Sequence, residues 1–287
     1  MSEQLSRGTG RTKAKGPLRL AIRTPYYVLT GGLAIIFLYP LIWAGVGSFA
    51  PSPGSNQVDG WGVGNYITLM YFQAGLGTYL FNSFVVTLLA VLFTLLLSLL
   101  GGYAFAYFSF PGKNALFLLV LSILMVPYAT LLIPLVIWLK TIYLNNTLVG
   151  VAFILAVFQL PFAVFMMRIS FEAVPRDISE AAKVDGCSNW TLLWRILIHA
   201  VKPGLITVGM FAFLAAWNDF MVPLYLLSGD NQTLPLALVN MRQQVMGVID
   251  YGATQAGVTV LTLPCIILFL ALQRHYVRGF MSGALKG

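Results

Sequence analysis

The chain has 287 residues, of which 59% belong to the apolar and aromatic set AVILMFWYC and only 9% are charged, with a formal net charge of +8. An ordinary globular chain is about 25% charged, so too few charges are present to cover a water-soluble enzyme of this length. Nucleic acid is excluded as a partner too, because the cations do not gather on one face. They sit between apolar runs, the distribution of a protein that crosses a membrane several times.

Residues 1–25 form a basic cytoplasmic tail with Arg7, Arg11, Lys13, Lys15, Arg19 and Arg23. Such a tail fixes topology and lies against anionic lipid headgroups. Six apolar runs follow, Tyr26 to Phe49, Tyr79 to Phe108, Ala115 to Leu139, Leu148 to Met167, Pro203 to Leu226 and Gly257 to Gln273. Each approaches or exceeds the roughly 20 residues that cross about 30 Å of hydrocarbon. They predict six transmembrane helices over 26–273, with a cytoplasmic tail at 274–287. The first run is too long for the core of a cleavable signal and reads as an uncleaved signal-anchor. The second exceeds what a span needs, so Gly101-Gly102 predict an end or a bend. A stretch such as VVTLLAVLFTLLLSLL lacks the period-2 polarity of a barrel strand. Pro127, Pro134 and Pro161 predict kinks that free carbonyls beside a cavity.

All 17 Lys and Arg lie outside these runs, and with the N-terminus inside 15 of them are cytoplasmic, against 2 outside, Lys140 and Arg242. Positive charge is retained inside, which places both termini in the cytoplasm of a multi-pass membrane protein. Cys187 and Cys265, like His199 and His275, are far apart, and no metal-ligand spacing is present.

The loop from Arg168 to Lys202 carries five cations and four anions, unlike a polybasic lipid patch. Pro175 opens a helix, with Asp177 and Glu180 near its positive end. Arg176–Glu180 and Glu180–Lys183 have pairing spacings, and Gly186 supplies a left-handed stop. Ser188 or Asn189 then caps a second, amphipathic stretch, WTLLWRILI, ending at Lys202-Pro203. The small Ala181-Ala182 pair offers a flat surface to another protein; an interfacial amphipathic helix without a partner fits the pattern equally.

EAAKVDG at 180–186, with Ile196 nine residues later, resembles the EAA loop of binding-protein-dependent ABC importer permeases. Glu180, Ala181, Ala182, Gly186 and Ile196 match that pattern; Ile198 and His199 depart from its Leu and Pro. NSFVVTLL at 82–89, FPGKNALF at 110–117, WNDF at 217–220, TLPLAL at 233–238 and the ending LQRHYVRGFMSGALKG resemble the carbohydrate-type permeases, specifically the inner subunit of maltose-type importers. The resemblance implies an all-α, type I-like importer fold of six spans, one half of a heterodimeric pore for a sugar. It implies four kinds of partner: a second homologous permease, a cytoplasmic ABC ATPase dimer, an extracytoplasmic sugar-binding protein and membrane lipid. It implies that Glu180, Ala181, Ala182, Asp185, Gly186 and Ile196 couple the spans to the ATPase, and that ATP and magnesium are used by that partner and not held by this chain.

No G-x-x-x-x-G-K-[ST] loop is present, and no nucleophile, base or metal cluster that would make the chain a hydrolase. Asp219 is the one ionisable group within the runs; such residues are costly in a bilayer and are read as functional or as helix-holding. Asn82, Tyr128, Gln159 and Asn218 join it as candidate lining of the translocation path. The loop from Leu227 to Ala256 is expected to meet the external binding protein. The alternatives are an amino-acid or peptide permease of the same superfamily and an ion-driven carrier, which would show broken helices in repeated positions and charged coupling sites.

Overall fold

A computed structural model describes residues 17–51, 60–244 and 250–284, and side chains over 25–51, 60–241 and 250–273 of these. Most of the basic tail, and Lys286, fall outside the described residues. The chain is helical: α1 (Pro17–Gly47), α2 (Gly64–Met70), α3 (Leu76–Tyr107), α4 (Lys113–Ser122), α5 (Tyr128–Thr141), α6 (Leu148–Glu172), α7 (Arg176–Val184), α8 (Asn189–Ala200), α9 (Lys202–Asn218), α10 (Met221–Leu226), α11 (Leu234–Gln244) and α12 (Tyr251–Ala284).

Four stretches are long and apolar enough to span a bilayer alone: Pro25–Gly47, Leu76–Tyr107, Leu148–Glu172 and Tyr251–Gln273. Two helix pairs reach that length only together and are sharply bent, Lys113–Met125 with Tyr128–Thr141 at 105° and Asn189–Ala200 with Lys202–Asn218 at 78°. Four helices qualify alone, and the count reaches the expected six if each bent pair is one span. The third run breaks where Val126 turns extended and Pro127, φ −57° and ψ 129°, starts α5. A residue before proline is pushed out of the helical region. The fifth run is also two helices, interrupted at Asp219, which is extended at ψ 131°.

The bundle is built on α3 and α6, which lie parallel. Val86 and Ala90 pack near Val151 to Leu155, and further along Leu99, Tyr103 and Ala106 pack near Ala163, Met167 and Phe171. Gly101-Gly102 do not end α3, which continues to Tyr107. A Cβ on Gly102 would stand 2.5 Å from Met167 Cβ and 2.9 Å from the Met167 carbonyl carbon. Gly102 is where the two backbones meet, the use membrane helices make of small residues.

Two further helices close the core. α9 crosses both α3 and α6, and Trp217 Nε1 donates to the Leu261 carbonyl of α12 at 2.9 Å. The segment after Leu227, expected to meet the external binding protein, folds back into the bundle. Leu234, Leu236, Ala237, Leu238 and Met241 of α11 are buried, with Leu69 and Tyr79 among their neighbours. By contrast α1 is exposed over 25–43 and meets the rest at its end, where Gly47 lies against Gln255.

Candidate functional site

The first candidate region is the α7–α8 loop. Pro175 precedes α7, and Ser179 and Ala182, three residues apart on one face, are buried. Ala182 belongs to the same apolar core as Leu99, Met167 and Phe171. Ile178, Glu180, Ala181 and Val184 are exposed, Val184 by 87%. The expected flat Ala181-Ala182 surface is thus divided: Ala181 faces out, whereas Ala182 anchors the helix. The expected ion pairs of Glu180 with Arg176 and Lys183 do not form. Among the described residues the ion pair present is Arg168 Nε to Glu172 Oε1, 2.8 Å, at the end of α6.

The end of α7 explains why glycine stands at 186. Gly186 has φ +80°, a conformation that strains other residues. Its N–H donates to Lys183 O at 3.0 Å, and the Cys187 N–H donates to Ala182 O at 2.9 Å. This is the paired closure that satisfies the last carbonyls of a helix. Asp185, exposed, is the residue just before the turn. Ser188, rather than Asn189, caps α8, its Oγ accepting from Thr191 N–H at 3.2 Å. α8 widens over Leu192–Leu197, where the Ile198 N–H reaches back five residues to Leu193 O. Leu192, Leu193 and Leu197 point into the core beside half-buried Ile196. Tyr103 Oη donates to Asn189 O at 3.2 Å, tying α3 directly to the start of α8.

The second region is the junction of the two chain breaks. Tyr128 Oη donates to Asp219 Oδ2 at 2.7 Å, and Asp219 Oδ1 accepts from the Val222 N–H at 2.9 Å. Asp219 therefore caps α10 as it reaches α5. Capping by a carboxylate satisfies one of the donors that a helix start leaves open. Tyr128 also packs on Phe158, ring centroids 4.4 Å apart. Gln159 Nε2 donates to Phe211 O at 3.2 Å, joining α6 to α9. Asn218 is exposed and donates to Leu214 O at 2.8 Å, with Cys265 Sγ 3.8 Å away. Asn82 is elsewhere: its Nδ2 donates to the carbonyls of Asp230 and Gln232 at 2.8 and 2.9 Å, holding the loop before α11.

Residues 95–282 match the family model described as the binding-protein-dependent transport system inner membrane component. The chain belongs to this family. Its curated relatives include the diacetylchitobiose uptake system permease DasC of Streptomyces coelicolor, 32% identical over 263 residues covering 89% of this chain and 94% of that one. The arabinooligosaccharide transport permease AraQ of Halalkalibacterium halodurans is 32% identical over 270 residues, covering 89% and 93%. The trehalose/maltose permease MalG of Thermococcus litoralis is 32% identical over 266 residues, covering 89% and 94%. A bacterial ABC transporter that imports alginate superposes with a TM-score of 0.74 at 18% identity, over 90% of this chain and 98% of that one.

The chain is accordingly a multi-pass transport component of the inner membrane, and the α7–α8 loop lies inside the region that matches the family. Two features of this permease were not read from the sequence. One is the Tyr103–Asn189 bond, because a tyrosine within an apolar run does not announce its partner. The other is Arg168, whose guanidinium sits 4.2 Å over the Phe117 ring while also pairing with Glu172. Only an i,i+4 spacing from Arg168 to Glu172 could have pointed to half of that clamp.

Proposed function

We propose that this chain is the permease subunit of an ATP-driven ABC importer that carries a sugar, mono- or oligosaccharide, into the cell. Three of its relatives are named for diacetylchitobiose, arabinooligosaccharides and trehalose/maltose, and this range supports a carbohydrate over an amino acid or peptide. A second, homologous permease completes the pore, and a cytoplasmic ATPase dimer binds ATP and magnesium. A solute-binding protein delivers the sugar from outside; a solved alginate transporter of the same fold is in complex with its periplasmic protein. The termini and the α7–α8 loop lie in the cytoplasm, as the distribution of Lys and Arg supports.

The observation that carries this reading is the two-sided burial of α7. Ala182 is fixed in the core that α3 and α6 share and Ser179 is buried on the same face, while Ile178, Glu180, Ala181 and Val184 are exposed. A rod held on one face and open on the other passes a push from the ATPase into the spans. ATP binding closes the ATPase dimer, α7 moves with it, and the spans turn from inward to outward access. Ile196 and the leucines of α8 back the rod, and Gly186 sets the angle between the two.

The test is uptake of labelled oligosaccharide by the assembled transporter. Glu180→Lys and Gly186→Val are expected to abolish uptake while leaving membrane insertion intact. The first reverses the charge on the free face, and the second forces a β-branched residue to φ +80°. Normal uptake in both would defeat the lever. Cross-linking should capture the ATPase from Ala181→Cys and not from Ala182→Cys, since Ala182 is 7% exposed.

A further inference from the structure

In the half of the bundle that the proposed orientation places outside, α5 and α10 meet in an apolar cluster, the plug. Leu132, Val136 and Leu139 of α5 share one buried cluster with Val222 and Leu226 of α10. Both helices begin at a chain break, α5 after Val126-Pro127 and α10 after Asp219-Phe220. Breaks of this kind leave a short helix free to swing, because no continuous hydrogen-bond ladder ties it to the helix before it. At their far ends the two helices are tied where the Asn146 N–H, just after α5, donates to Leu226 O of α10 at 3.0 Å; along their length apolar packing, which is non-directional, resists the swing.

One polar link spans the inner margin of the plug. Tyr128 at the start of α5 donates to Asp219 Oδ2 at 2.7 Å, and Asp219 Oδ1 holds the first turn of α10 through the Val222 N–H at 2.9 Å. A single carboxylate therefore joins both swinging helices where each leaves its break. We propose that Tyr128 and Asp219 are positioning residues for transport: their hydrogen bond latches α5 to α10 with the outer side closed, and its release lets the two helices part and admit the sugar from outside. The latch rests on the alternating-access reading given above. It also accounts for a carboxylate being kept at membrane depth, where an unpaired one is costly.

The strength of the latch is bounded by what interhelical hydrogen bonds contribute in membranes, about 0.6–1.7 kcal/mol. That is about a three- to twentyfold change in the ratio of closed to open forms. The test uses the assembled transporter with Cys187 and Cys265 replaced by alanine and one thiol introduced as Ala215→Cys, an exposed position one turn before Asp219. A membrane-impermeant maleimide is applied from the outer side. Labelling of the parent held with a non-hydrolysable ATP analogue gives the open rate, and labelling without nucleotide gives the closed rate. Equal rates in these two states would defeat alternating access itself.

With that difference established, Tyr128→Phe is expected to raise labelling without nucleotide about three- to twentyfold. It should also raise ATP hydrolysis in the absence of the binding protein. Phenylalanine keeps the ring contact with Phe158, 4.4 Å between centroids. Asp219→Ser provides an independent route: serine still caps α10 but is too short to reach Tyr128, so it should label as fast as Tyr128→Phe. Asp219→Asn can cap with its oxygen and donate its amide to Tyr128 Oη, and should stay near the parent. Parent-like labelling in Tyr128→Phe or Asp219→Ser would overturn the latch. So would fast labelling in Asp219→Asn, because charge and not the bond would then be holding the plug.

Discussion

At the end of this permease that the proposed orientation places inside, the inner end, α3, α6, α7 and α8 meet through shape, with Gly102 seated on the Met167 backbone and Tyr103 and Tyr107 against Phe171. At the outer end the same bundle is stitched by side-chain amides and hydroxyls to loop backbone. Asn82 holds the Asp230 and Gln232 carbonyls, Ser83 Oγ accepts from Leu234 N–H at 2.8 Å, and Asn146 Oδ1 accepts from Ser228 N–H at 2.9 Å. Close packing transmits displacement, since a packed core has no slack to absorb it. Hydrogen bonds to loops can be exchanged for others when a segment moves. Under the proposed coupling, the inner end delivers a push and the outer end rearranges under it.

The largest effect is expected from breaking the inner contact. Gly102→Val places atoms inside the Met167 backbone, which cannot rotate away as a side chain would. Overpacking of this kind costs about 1–3 kcal/mol, and a backbone obstacle puts it at the upper end. Thermal unfolding in detergent should show it, and the neighbouring Gly101→Ala gives a scale. There the added Cβ meets only the Val164 side chain, Cγ2 at 3.2 Å and Cγ1 at 3.7 Å, so a much smaller shift is expected. Equal destabilisation by both would mean that loss of flexibility, not close approach, is what the glycines supply.

A smaller and more local effect is expected at the outer end. Asn82→Leu removes two bonds to loop carbonyls, about 1–3 kcal/mol if each is of ordinary interhelical strength. The loop at 228–232 should become susceptible to added protease while α7 keeps its core contacts. If Asn82→Leu also loosened the inner end, the two halves would be one cooperative unit and the contrast between them would fail.

The sequence made the inner end far easier to read than the outer one. The α7–α8 hairpin is written in local rules: Pro175 before a helix, Gly186 at its left-handed stop and Ser188 at the next cap are all residues whose meaning lies within four positions. The apolar runs were legible for the same reason, because bilayer thickness sets their length. What could not be read was any property that depends on helix rotation. Ala182 turned inward and Ala181 outward because of how α7 lies on Phe171 and Met167, which no spacing encodes. Gly101-Gly102 looked like a helix end and proved to be a contact surface, since glycine serves either purpose. Asn82, Gln159, Tyr128 and Asp219 were all polar residues in apolar runs, yet only the last two meet. The third and fifth runs read as single spans because hydropathy averages over a break; Pro127 and the Asn218-Asp219 pair were the visible traces of it.

The smallest effect tests whether the outer stitching depends on charge. Asp250 is buried just before α12, and its Oδ1 accepts from the Ala253 N–H at 2.9 Å. Burial pushes its carboxyl above the ordinary value, with the Ala253 and Gly252 N–H groups pulling it partly back. The folded carboxyl thus gives up its proton at higher pH than the unfolded one. Between those two values the folded protein binds more protons than the unfolded chain, so this group's contribution to stability declines as pH rises through the window. At neutral pH the charge on Asp250 is a burden that its cap offsets. Asp250→Asn keeps an equally good cap and removes the charge, so thermal unfolding at pH 7 should show no loss or a slight gain, vanishing on acidification. Asp250→Ala loses the cap, at about 1 kcal/mol. A clear loss with Asp250→Asn at pH 7 would show instead that the outer end relies on this negative charge, and that its stitching is electrostatic as well as geometric.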